Sequence, residues 1–153
     1  MSNLRWVIAL RHCSDLNDNE LSDVGKKQAQ QLADRLFELL REKESLVILS
    51  SPQGRAQQTA EIIAQKFGLT TTVCRELVRD QALHGGILRE AIERARGNSS
   101  AVVAITHYGA PIGIIEAYGG RLEAGLFGLS VAKGFALALN ISSGDVSTFA
   151  SDT

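Results

Sequence analysis

Three short, uninterrupted apolar runs, at residues 6–10, 46–49 and 101–105, constrain this chain more than any other feature. Runs of four or five such residues, bounded by polar and turn-forming residues, suit strands buried on both faces. Helical spacing fills the gaps between them. From Ser22, a candidate N-cap, Ala29, Leu32, Ala33, Leu36 and Leu40 recur at helical intervals. A second helix is expected over 54–66, with Ala56, Ala60, Ile63 and Phe67 on one face and Gly68 as its C′ residue. A third is expected over 87–96, with Ile87, Ala91, Ile92 and Ala95 inward, and a short one over 110–118 with Pro111 in its first turn. Residues 11–21 are polar and read as loop, and the β-branched stretch 70–74 reads as an edge strand. Residues 135–141 and 146–149 flank a Ser142-Ser143-Gly144-Asp145 turn and read as an antiparallel hairpin. Strands alternating with helices predict an α/β fold, with a mostly parallel sheet and an antiparallel edge.

Composition excludes several classes of function. Apolar residues make up 44% and charged residues 22%, which suits a packed domain rather than a disordered chain. Composition is even over the 153 residues, with no repeat or linker, so residues 1–153 are expected to form one domain. Sixteen Lys and Arg against 17 Asp and Glu give a net charge of −1, which is not the footprint of a nucleic-acid or polybasic membrane binder. The apolar runs are far shorter than the roughly 20 residues of a spanning helix, and with a strand-like segment from Trp6 no signal peptide is expected. Two cysteines, Cys13 and Cys74, make neither a disulfide framework nor a CxxC metal site. A soluble, reduced, cytoplasmic protein is expected, without nucleic-acid or membrane partners.

Each apolar run is followed closely by a cationic or titratable group. The first delivers Arg11 and His12, the second leads to Arg55 in the next helix, and the third delivers Thr106 and His107. A single histidine or arginine after a strand is usually a surface or capping residue. Three independent strands doing the same is a much rarer coincidence. In a parallel sheet these carboxyl ends share one edge, where ligands of open α/β sheets bind. Helix N-termini near Gly54 and Gly109 would add amides and positive dipole ends. The combination describes a site for a small, highly charged anion such as phosphate. His84 has no such context and reads as a loop residue, and Arg79 and Arg89 read as solvated charges.

The same residues carry a resemblance. Leu10-Arg11-His12 after the first strand resembles the signature of the histidine phosphatase superfamily. The block from Ser50-Ser51-Pro52 through Arg55 to Thr59-Ala60 is similar to that family's second motif, and Thr106-His107 followed by Pro111 to its third. The resemblance covers nearly the whole chain and implies the three-layer α/β/α, phosphoglycerate mutase-like fold. It implies His12 as a nucleophile that takes up the phosphoryl group, a role suited to an imidazole near neutral pH. It implies Arg11 and Arg55 as clamps on the phosphoryl oxygens, and a protonated His107 that stabilises charge in the transition state. Arg11, Arg55 and His107 are thus the implied substrate-binding residues, with no metal and no organic cofactor.

Three positions depart from the family pattern. Cys13 stands where Gly is usual, Tyr108 where a small or polar residue is common, and Arg79 where the general acid would align, leaving Glu76 and Asp80 as candidate acids. His12-Cys13 also begins like a cysteine phosphatase motif, but that motif needs an Arg six positions on and the chain has Asn19. The short stretch 69–97 leaves no room for the covering insertions of mutases and sugar bisphosphatases. An uncovered site resembles the short bacterial phosphohistidine phosphatases, with a phosphate-bearing substrate that includes a phosphorylated protein. The alternative is a weakened pseudo-phosphatase that binds phosphorylated partners.

Overall fold

In chain order the elements are β1 (Trp6–Arg11), β2 (Asp15–Asn17), β3 (Glu20–Leu21), α1 (Asp23–Leu40), β4 (Leu46–Ser50), α2 (Gly54–Phe67) and β5 (Thr72–Val73). A 3-10 turn (Arg75–Leu77) follows, then α3 (Gly85–Arg96), β6 (Ala101–Thr106), α4 (Ala110–Ala117), β7 (Phe135–Asn140) and β8 (Val146–Ala150). They come from a computed structural model, which describes residues 3–40, 44–78, 85–122 and 131–151. Six strands form one sheet in the order β5-β4-β6-β1-β7-β8. β5, β4, β6 and β1 are parallel, while β7 runs antiparallel to both β1 and β8.

The apolar runs are uninterrupted because helices cover both faces of the sheet. Ile8, Leu10, Ile48, Val103 and Ile105 face Ala29, Leu32 and Leu36 of α1 and Ala56, Ala60 and Ile63 of α2. Their sequence neighbours Val7, Ala9, Leu49, Val102 and Ala104 face Leu88 and Ile92 of α3 and Ile114 and Ile115 of α4. This is the expected three-layer α/β/α fold, with the β7–β8 hairpin at one edge. Ser22 caps α1, its Oγ accepting the Gly25 N–H at 3.0 Å. Gly68 closes α2 at φ 68°, the left-handed conformation of a C′ glycine.

Three local expectations are corrected. Within 11–21, β2 and β3 form a small antiparallel hairpin instead of plain loop. Its turn is set by Asn17, whose Oδ1 accepts the Asn19 N–H at 2.8 Å, and the Leu21 N–H is held by Gln58 Oε1 at 2.7 Å. In α3 the inward residue is Leu88, fully buried, and Ile87 is 46% exposed. Leu88 stands three and four positions before Ala91 and Ile92 and so shares their stripe. Arg89 is not merely solvated: it donates to the Ala117 carbonyl at the end of α4 at 2.6 Å and lies over the Tyr118 ring.

Candidate active site

Strand register brings the predicted residues together. Arg11 pairs with Thr106 across β1 and β6, and Ser50 of β4 is level with Ile105. One step on, the His12 N–H donates to the Thr106 carbonyl and the Ser51 N–H to the Ile105 carbonyl, both at 3.0 Å. His12, Ser51 and His107 therefore leave three adjacent strands at one sheet edge. The His12 and His107 rings lie 5.2 Å apart, and both residues are only 1% exposed. Arg55, in the first turn of α2, has its side chain 13% exposed.

The protonation of His12 follows from its contacts. Its Nδ1 lies 2.9 Å from the Cys13 carbonyl, which can only accept, so Nδ1 carries the hydrogen and Nε2 keeps its lone pair. Burial lowers its pKa from 6.5 to about 4, the carbonyl contact partly opposing this and the Arg55 and Arg11 charges adding to it. The ring is neutral at pH 7 with a bare Nε2, the form in which an imidazole attacks phosphorus. Cys13 is the opposite case. It is fully buried, its thiol is pushed up to about 12 by burial, and its N–H donates to Thr59 Oγ1 at 3.1 Å. A thiol so held is no nucleophile.

Asp15, Ser51, Thr59 and Lys133 are the residues that sequence reasoning missed. Asp15 lies between two cations, 3.2 Å from Arg55 and 2.7 Å from Lys133. Burial pushes its carboxyl pKa up, but the hydrogen bonds from Lys133 and Arg55 outweigh it and hold it below the ordinary value. Ser51 Oγ is 2.7 Å from His107 Nε2, and Thr59 ties the two halves of the site by also donating to the Arg55 carbonyl at 2.9 Å. Asp18 is a second partner of Arg55 at 3.2 Å. The Arg55 Nε is buried without an acceptor among the described residues. The segment 131–134 closes one side. Arg11 donates to the Val131 carbonyl at 3.0 Å, the Val131 N–H reaches the Tyr108 carbonyl at 3.3 Å, and the Gly134 N–H reaches the His12 carbonyl at 3.2 Å.

Two glycines seat the loop after His12. A Cβ on Gly25 would collide with the Ser14 carbonyl, and one on Gly54 would stand 2.6 Å from the Asn19 carbonyl oxygen. The α2 N-terminus is correspondingly occupied, because the Arg55 N–H donates to the Asp18 carbonyl at 3.1 Å. At α4 the Ala110 N–H donates to the His107 carbonyl at 3.0 Å. These two amides, expected to be open to an anion, are spoken for by the chain. The dipole ends remain.

Glu76 is turned to α3, paired with Arg94 at 2.8 Å. Asp80, Arg79 and His84 lie outside the described residues. Tyr108 is 54% exposed at φ 48°, and its ring lies 5.6 Å from the Arg11 guanidinium carbon. It is the one non-glycine residue with positive φ among the described residues, a conformation that costs a bulky side chain about 1–2 kcal/mol. No group of three or more His, Cys, Asp or Glu that could hold a metal ion occurs among the described residues, nor does a helix long and apolar enough to cross a membrane.

Residues 5–85 match the family model of the histidine phosphatase superfamily (branch 1). No curated protein sequence matches significantly. Among solved structures, the chain is similar to a candidate phosphohistidine phosphatase SixA from Agrobacterium tumefaciens, with 21% identity, 95% of each chain covered and a TM-score of 0.67. It is similar to the protein histidine phosphatase SixA complexed with tungstate at 19% identity, 94% of each chain and 0.62. It is also similar to a mycobacterial glucosyl-3-phosphoglycerate phosphatase at 18% identity, with 97% of this chain and 99% of that chain covered, and 0.64. Likeness at these identities fixes the fold, and the fold is shared by enzymes named for quite different substrates.

Proposed function

This chain belongs to the histidine phosphatase superfamily, and from that premise we propose that it is a phosphohydrolase in which His12 carries the phosphoryl group. The observation that carries this reading is the His12 ring, neutral by burial and aligned by its Nδ1–H, with Arg11, Arg55 and His107 around it. Nε2 attacks phosphorus in line. The P–Nε2 bond forms as the bond to the leaving group breaks, and that group departs with the electron pair and takes a proton. Water then attacks the phosphohistidine, releasing inorganic phosphate and restoring neutral His12. Arg11 and Arg55 hold the phosphoryl oxygens, and His107 with Ser51 donates to the charge that builds there. The step needs no metal and no organic cofactor.

The leaving group narrows the substrate. Asp15 is held ionised between Arg55 and Lys133, and Glu76 is committed to Arg94, so neither is placed as a proton donor beside His12. An alkoxide leaves poorly without such a donor, and of the two candidate acids only Asp80, which lies outside the described residues, is left to supply one. An imidazole, whose conjugate acid has a pKa of about 6.5, takes its proton from solvent. Phosphohistidine, including that of a phosphorylated protein, is therefore the preferred substrate class, followed by aryl phosphates. The test is kcat/KM for phosphohistidine, an aryl phosphate and serine phosphate, with His12→Ala as control. Phosphohistidine should lead, serine phosphate should be poor, and His12→Ala should be inactive. A lead for serine phosphate would overturn the substrate class, and an active His12→Ala would overturn the nucleophile. Phosphate binding without turnover of any donor would make the chain a pseudo-phosphatase.

A further inference from the structure

We propose that Tyr108 is the residue that selects the leaving group, by offering its ring as a platform for a planar ring that protonates before it leaves. The proposal deepens the phosphatase reading and rests on it. The geometry begins with in-line displacement. His12 sits at the bottom of the site, 1% exposed, so a phosphoryl group on its Nε2 side has its leaving group directed outward. Tyr108 is 54% exposed and next in sequence to the buried His107, which puts it on the solvent side of that histidine. Its ring lies 5.6 Å from the guanidinium carbon of Arg11, one of the groups that hold the phosphoryl oxygens.

The backbone gives an independent reason to look here. At φ 48° Tyr108 sits in the left-handed region, which a bulky side chain rarely adopts. Its carbonyl accepts the Val131 N–H, and the His107 carbonyl beside it accepts the Ala110 N–H. These bonds hold the residue in place, with an aromatic ring facing solvent where burial does not reward it. A strained and exposed aromatic beside a phosphate clamp fits a contact with substrate. Its π face attracts a flat cation. The ring is cationic once its free nitrogen takes a proton and leaves as neutral imidazole with the P–N electron pair, so stacking on Tyr108 holds it in the bound substrate and the transition state alike and raises kcat/KM. An alkyl or ammonia leaving group has no ring to use it.

The test compares two substrates with the same P–N bond, N-phosphoimidazole, which has the ring, and phosphoramidate, which lacks it. The readout is the ratio of their kcat/KM values in wild type, Tyr108→Phe, Tyr108→Leu and Tyr108→Gly. The ratio should fall about fivefold in the Leu and Gly variants and stay within twofold in Phe. The Gly variant keeps the backbone conformation without strain, so it guards against loss of fold in Leu. An unchanged ratio in both Leu and Gly would overturn the role of Tyr108 while leaving the phosphatase reading intact. A wild-type protein that hydrolyses neither compound would overturn the phosphatase reading and this proposal with it.

Discussion

At the scale of single residues, the environment of His12 sets the pH dependence of the proposed chemistry. Because burial lowers its pKa to about 4, the proposed nucleophile stays deprotonated through the range where a free histidine titrates. The acid limb of kcat/KM, measured on a substrate that does not itself ionise there, should therefore fall near pH 4 instead of 6.5. Stability carries the same signature. Between about pH 6.5 and 4 the unfolded chain binds a proton at this histidine that the native fold refuses, so native stability falls as pH falls through that window. A His12→Gln variant should lose that part of the pH dependence of Tm. Its neighbour is inert by the same physics. Cys13→Ala should keep most activity, and His12→Ala should lose at least about a thousandfold, roughly 4 kcal/mol of transition-state stabilisation. That Arg11, His12, Arg55 and His107 would meet at one sheet edge was legible in the sequence because each stands at or soon after the end of a strand. Asp15 was not: its partners lie 40 and 118 positions away, and no local pattern marks an acid that will meet them.

At the scale of elements, the site depends on how α2 meets the β2–β3 hairpin. Gly54 lets the Asn19 backbone lie against the first turn of α2, and Thr59 links Cys13 to the Arg55 carbonyl. Gly54→Ala should move the hairpin off α2, destabilise the fold by about 1–3 kcal/mol and lower kcat/KM through a misplaced Arg55, read by thermal melts alongside kinetics. Thr59→Val keeps the volume but removes both hydrogen bonds, leaving the buried Cys13 N–H unpaired. It should cost about 1–3 kcal/mol. Long periodic segments were readable because burial on one stripe imposes their spacing, as in α1 and α2. The hairpin was not, because β2 and β3 are three and two residues long and owe their pairing to Asn17 and Gln58 contacts more than to alternation. Ile87 shows the same limit, since an apolar residue near a helix start does not say which stripe the third layer will cover.

At the scale of the whole molecule, a nearly neutral chain gathers three cations at one sheet edge, offset in part by Asp15 and Asp18. The net charge is −1, yet Arg11, Arg55 and Lys133 gather around two buried histidines. Native protein alone presents this arrangement, because the residues come from four separate stretches of sequence. An anion bound there must stabilise the fold by mass action. At phosphate or vanadate concentrations about 100 times Kd the gain is about 2.7 kcal/mol, a rise in Tm of roughly 5–11 °C for a chain of this size. Arg11→Ala and Arg55→Ala should abolish most of that rise, because each removes a clamp. His12→Ala should retain the phosphate shift while losing turnover, since in the proposed mechanism His12 forms the bond and the arginines hold the oxygens. EDTA should change neither the shift nor the activity, because the proposed step draws its positive charge from side chains. A Tm rise that survives in both arginine variants would place the anion elsewhere on the molecule. An activity lost to EDTA and restored by a divalent ion would replace the metal-independent mechanism altogether.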